Sequence, residues 1–218
     1  MNVTEMARRT KRRSDAPIWM LYGAGLLPAL WGFYLGSIGE LGADPVKEFE
    51  HRLGLWALRF LILTLMVSPL REIFSINLIR YRRALGLLAF YYVAMHFSVY
   101  MILDQALDLN AVIADIIKRP FITIGMASLV ILIPLAVTSN AWSIRRLGRN
   151  WVRLHRLIYV AAAGGAIHFI LSVKSWPAEP VIYAAIVAIL LAWRIARPFF
   201  LKRRRSTRTS ATRQPRSA

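Results

Sequence analysis

ALGLLAFYYVAMHFSVYMIL, residues 84–103, runs twenty positions without an Asp, Glu, Lys or Arg and holds one histidine, His96, just past its midpoint. A hydrocarbon core about 30 Å thick takes roughly 20 apolar residues of helix, so the stretch reads as a membrane-crossing segment. Its histidine is then the anomaly. Imidazole is costly to bury in hydrocarbon unless something binds it, and an ionisable side chain at that depth marks a functional site by default.

Five more stretches approach the same length: 17–38, 53–70, 121–138, 154–173 and 180–196. FITIGMASLVILIPLAVT at 121–138 is uncharged, 53–70 holds only Arg59, and 180–196 runs into Arg194. Pro28, Pro69 and Pro134 fall within or at the ends of these stretches, where membrane helices tolerate proline better than soluble ones do. The chain is 218 residues long, 57% hydrophobic and 18% charged, with a mean hydropathy of +0.46, which places it among membrane proteins. The expected fold is an all-α integral membrane protein, a six-transmembrane-helix bundle. One membrane domain, 17–200, stands between a basic N-terminal segment, 1–16, and a basic tail, 201–218, expected to be disordered or to lie on anionic headgroups. The first span is too long for a signal-peptide core and lacks a small-residue cleavage site, so it is expected to be retained. There is no cysteine. That removes disulfides, iron–sulfur ligation, thiolate-bound haem and covalent haem attachment.

A net charge of +18 raises the question of nucleic acid. The distribution of charge answers it. With the N-terminus in the cytoplasm, 23 Lys and Arg fall on the cytoplasmic side, five (Lys47, Arg52, Lys118, Arg119, Lys174) fall opposite, and Arg59 lies within a span. This asymmetry obeys the positive-inside rule for six spans with both termini cytoplasmic, so the basic charge sets topology and no nucleic-acid partner is expected.

Depth decides which histidines meet. His96 is about twelve residues up the third span and His168 about fourteen up the fifth, on the order of 18 and 21 Å from the same side at 1.5 Å per residue. Two imidazoles at matching depth on neighbouring helices can grip one iron axially. His155 lies thirteen residues before His168, roughly 20 Å away along the helix and well apart in azimuth. Thirteen residues before His96 stands Arg83, so an inner haem on His155 lacks a matching second histidine. His51 sits at the outer mouth of the second span. Arg59, on the order of 9 Å deep, suits a haem propionate or a quinone oxygen, or else snorkels to headgroups. Phe90, Tyr91, Tyr92, Phe97 and Tyr100 either wall a porphyrin or simply pack. Gly164 and Gly165 admit something flat or a neighbouring helix. The chain has no HExxH, Walker or GxSxG motif and no dinucleotide-binding unit.

At LGADPVKEFEHRLG (41–54), RRALGLLAFYYVAMHFSVY (82–100), LGRNWVRLHRLIYV (147–160) and IHFILSVK (167–174) the sequence resembles the ferric-reductase-like transmembrane family. Within that family it is most similar to the membrane subunits of bacterial methionine sulfoxide reductase systems, over about residues 20–200. The resemblance implies haem b, with His96, His155 and His168 as ligands, together with FMN. It also implies electrons from the quinone pool of the inner membrane and a periplasmic molybdopterin-containing partner that reduces methionine sulfoxide in oxidised proteins. Arg59 joins these residues as a cofactor-binding candidate. Substrate reduction is expected in the partner, since no extramembrane domain here is large enough for it. A self-contained ferric reductase and a proton-coupled transporter using His and Arg59 remain alternative readings.

The charge asymmetry makes a topological prediction. Reporters fused after Arg149 or at the C-terminus should report cytoplasm, and those after Glu48 or Asp108 periplasm. A periplasmic C-terminus would invert every span.

Overall fold

Six helices of the computed structural model are long and apolar enough to cross a membrane: Ala16–Ser37, Pro45–Ile73, Ile79–Asp104, Pro120–Val137, Arg149–Ser172 and Ala178–Arg197. The structure describes residues 15–173 and 178–211, with side chains to residue 197. The basic run before residue 14 and Lys174 lie outside that range, as do residues 212–218 of the tail.

In chain order the helices are α1 (Ala16–Ser37), α2 (Pro45–Ile73), α3 (Arg82–Val99), α4 (Leu109–Lys118), α5 (Pro120–Val137), α6 (Ala141–Leu147), α7 (Arg149–His155), α8 (Ile158–Ser172) and α9 (Ala178–Ala211). A 3₁₀ turn, Ile79–Tyr81, leads into α3, and a π turn, Tyr100–Asp104, ends it. Each of the six apolar stretches read from the sequence is helical, the fifth with a turn at residues 156–157 between α7 and α8. α9 continues as helix through Ala211.

Two tightly packed pairs, α2 with α3 and α5 with α8, form the centre of the bundle and meet through α3–α5 and α2–α8 contacts. α1 covers one side, against α2 and α3, and α9 covers another, against α8 and α2. Small residues permit this approach. A Cβ on Gly25 would come within 2.6 Å of Leu88 Cδ1, and one on Gly164 would collide with the Ser128 hydroxyl. Gly164 therefore serves the approach of α5 to α8.

α2 begins at Pro45, eight residues before its hydrophobic run. Asp44 accepts from the Lys47 amide (3.2 Å) and pairs with its ammonium (2.8 Å), Pro45 opens the first turn, and Glu48 carries a negative charge into it. Those contacts with Lys47, the side-chain one foremost, hold the Asp44 carboxyl below the usual range. Arg52 donates to Glu48 at 2.7 Å one turn on. This polar extension is what carries Glu50 and His51 over the end of the bundle.

α1 is attached by one buried hydroxyl. Tyr92, fully buried, donates to the Gly25 carbonyl (2.7 Å) and accepts from the Ala29 amide (3.1 Å). These are the two groups that one step of the α1 ladder would join, and they flank Pro28. A side chain inserted at such a step satisfies groups that hydrocarbon cannot. Tyr92→Phe keeps the ring and strands both groups, which should cost about 1–3 kcal/mol. Thermal unfolding in detergent should show a lower midpoint with unchanged helix content.

Candidate functional site

His96 on α3 and His168 on α8 face each other across the two central pairs. Their ring centroids are 6.2 Å apart and their planes cross at 79°. The depth argument thus brings together the two histidines it selected.

What fixes each ring is a backbone carbonyl. His96 Nδ1–H donates to the Glu50 carbonyl at 2.8 Å, and His168 Nδ1–H donates to the Phe121 carbonyl at 2.7 Å. A carbonyl oxygen only accepts, so Nδ1 carries the proton in both neutral rings and each Nε2 keeps its lone pair. Metal-ligating histidines commonly have the second ring nitrogen engaged in this way.

Each carbonyl is reachable for the same reason. The helical ladder uses one lone pair of the Glu50 oxygen for the amide of Gly54, four residues on, and one of the Phe121 oxygen for that of Gly125. The imidazole takes the other lone pair and lies where the glycine has no side chain. A Cβ on Gly54 would sit 3.2 Å from His96 Nδ1 and Cε1, and one on Gly125 would sit 2.8 Å from His168 Nδ1. Two i, i+4 carbonyl–glycine seats, one on α2 and one on α5, therefore hold the pair. The sequence reading had singled out Gly164 and Gly165. The usable signal for Gly54 and Gly125 was a glycine on a neighbouring helix level with each buried histidine.

The residues present fit a haem: two neutral imidazoles on facing helices, each with its Nδ1–H on a carbonyl, would hold the iron through Nε2. Among the described residues no group of three or more His, Cys, Asp or Glu could hold a metal ion. Phe121 lies 6.0 Å from the His168 ring, and Glu50 Oε1 is 3.8 Å from His96 Nε2. Of the aromatics considered as porphyrin walls, Tyr92 instead locks α1, and Tyr100 donates to Asp115 at 3.3 Å.

The remaining candidates lie elsewhere. His155 ends α7, stacked on Trp151 with 3.9 Å between ring centres. Its Nε2 is 3.0 Å from the Thr138 hydroxyl, whose own proton goes to the Pro134 carbonyl at 2.6 Å. His155 thus donates through Nε2 and leaves Nδ1 as its free lone pair, the reverse of the facing pair. Arg59 donates to the Tyr183 hydroxyl at 2.8 Å, lies 4.8 Å above the Trp56 ring, and stands 4.0 Å from Glu179. It lines a cleft of about 1040 Å³ between α1, α2 and the start of α9, with Trp31, Tyr34, His51 and Trp56 on the walls. His51 also touches Phe169, 5.6 Å between rings, which places the cleft beside the C-terminal end of α8.

The chain is similar to known proteins over most of its length. The family described as "Ferric reductase like transmembrane component" matches residues 53–166. The "Protein-methionine-sulfoxide reductase heme-binding subunit MsrQ" of Brucella ovis is 65% identical over 201 residues, covering 92% of this chain and 91% of the relative. Those of Brucella canis and Brucella melitensis biotype 2 match to the same extent. No solved structure matches. The family match runs from within α2 to within α8 and takes in His96, Gly54 and Gly125, and with 65% identity to these subunits over 92% of its length the chain belongs to the ferric-reductase-like transmembrane family.

Proposed function

We propose that this chain is a haem b electron-transfer subunit of the bacterial inner membrane. It passes electrons from the quinone pool, or from a cytoplasmic flavin donor, to a periplasmic molybdopterin-containing methionine sulfoxide reductase that repairs oxidised proteins. The observation that carries the haem reading is the facing pair of His96 and His168, each with its Nδ1–H on a carbonyl and the lone pair of Nε2 left for a metal. A haem held there would take up and release single electrons. The relatives' names, as haem-binding subunits of protein-methionine-sulfoxide reductase, support the partner. The molybdopterin, FMN and inner-membrane elements rest on the family resemblance.

The chain's own residues divide the work. The two seats orient the imidazoles and fix their tautomers, so binding requires no proton rearrangement at Nδ1. The cleft at Arg59 suits a quinone: aromatic walls match a flat ring, and the guanidinium, 4.0 Å from the Glu179 carboxylate, has donors for a quinone oxygen. His155, near the other membrane face, is proposed as a further ligand or entry point, acting through Nδ1.

Replacing His96 or His168 by Ala should abolish most b-type absorbance while the protein stays in the membrane. Gly125→Ala, which intrudes on the His168 seat, should lower haem content or shift the low-spin ferric spectrum. If both histidine variants keep wild-type haem, the pairing is wrong.

Stopped-flow spectra of the two half-reactions test the entry side. His155→Ala should slow haem reduction by the donor and spare oxidation by the partner. The opposite pattern would move entry to the cleft near Arg59.

A further inference from the structure

α4 connects two membrane-crossing helices, one ending at Asp104 and the next starting at Pro120, so it lies at the end of the bundle, near the membrane boundary. Its sequence, LNAVIADIIK, is not that of a plain surface loop. At 100° per residue, Val112, Ile116, Leu109, Ile113 and Ile117 form one continuous apolar arc of roughly 140°, and Asn110, Asp115 and Lys118 occupy the rest. The protein covers only one edge of that arc. Val112 is 4% exposed, whereas Leu109, Ile113 and Ile117 are 64%, 54% and 77% exposed. On the chain just before α4, Ile102, Leu103 and Leu107 are exposed as well, which extends the patch toward the lipid-facing side of the bundle.

We propose that α4 is an interfacial helix whose occupant is the lipid bilayer: Leu109, Ile113 and Ile117 lie in the headgroup–acyl boundary, with Asn110 and Lys118 toward water. Three observations select lipid over a protein partner. The helix is tethered at both ends to membrane spans, the exposed stripe is continuous with apolar surface of the preceding span, and Lys118, exposed at the helix end, carries charge suited to phosphate headgroups, while Arg119 pairs with Asp115 at 3.2 Å. A large apolar arc beside a polar face is what an in-plane helix requires.

This placement has a structural consequence for the histidine pair. Asp108 caps α4 by accepting from the Asn110 and Ala111 amides. The Thr123 hydroxyl donates to the Ile116 carbonyl, clamping α4 to the first turn of α5. That turn carries Phe121, whose carbonyl seats His168. The lipid-anchored helix thus buttresses one of the two seats. The inference rests on the membrane fold and stands whether or not the haem reading does.

Because the chain has no cysteine, single spin labels report unambiguously. Leu109→Cys, Ile113→Cys, Ile117→Cys, Asn110→Cys and Lys118→Cys would be labelled in the full-length protein and reconstituted in phosphatidylcholine–phosphatidylglycerol vesicles. Collisions with oxygen and with a water-soluble nickel chelate are then compared. Oxygen collisions should exceed nickel collisions at 109, 113 and 117, and the order should invert at 110 and 118. Nickel dominance at all five positions would overturn the proposal in favour of a water-facing helix. Protection from both reagents at 109, 113 and 117 would overturn it in favour of a protein contact.

Discussion

The second lone pair of two helix carbonyls is the resource on which the centre of this molecule depends. In hydrocarbon an imidazole cannot leave its N–H unsatisfied, and within a helix almost every carbonyl is screened by the side chains around it. Glu50 and Phe121 escape that screening because the residue four positions on is glycine in both cases. One constraint then fixes several properties at once: which nitrogen is protonated, which way each ring faces, and how closely α3 approaches α2 and α8 approaches α5. The tight pairing of those helices is the packing expression of two short hydrogen bonds.

The same rule acts at several points on the periphery. Tyr92 satisfies the amide and the carbonyl beside Pro28 in α1. Trp151 donates from Nε1 to the Thr138 carbonyl at 3.0 Å, closing the end of α5. Arg194 donates to the Leu65 carbonyl at 3.1 Å and Arg197 pairs with Glu72 at 2.8 Å, joining the ends of α2 and α9. None of these contacts contributes much area. Each removes a penalty that lipid would otherwise impose, and so each selects one packing arrangement over its neighbours.

Hydropathy made the six helices legible because roughly twenty apolar residues in a row have few alternatives to a membrane span. Depth alone also paired His96 with His168, since rise per residue is independent of side-chain detail. Other features were hidden for definite reasons. The ligand-orienting groups are backbone carbonyls, which no side-chain pattern marks. The polar start of α2 was encoded in Asp44, Pro45 and Glu48, yet it lies outside any hydrophobic window. The neighbours of Arg59 are far away in sequence, Tyr183 by 124 residues, and nothing local announces them. Tyr92, one of five aromatics near His96, proved to be a helix lock because its hydroxyl, not its ring, is decisive.

His155 shows why similar residues at similar spacing need not share a role. Its Nε2 is committed to Thr138, and Thr138 has already given its proton to Pro134. Ligation by Nε2 would leave that hydroxyl without its donor, while ligation by Nδ1 would have to proceed beside the stacked Trp151 ring. The facing pair meets neither obstacle. Among the described glycines, none places a Cβ against His155 or Arg83 as Gly54 and Gly125 do against the facing pair: a Cβ on Gly148, the glycine nearest His155 in sequence, meets nothing within 4 Å. That glycine serves the turn between α6 and α7, at φ +50°. A redox role for His155 therefore needs a ligand set or a geometry different from that of the facing pair, and the physical asymmetry between the two ends of α8 is the reason to measure the two half-reactions separately.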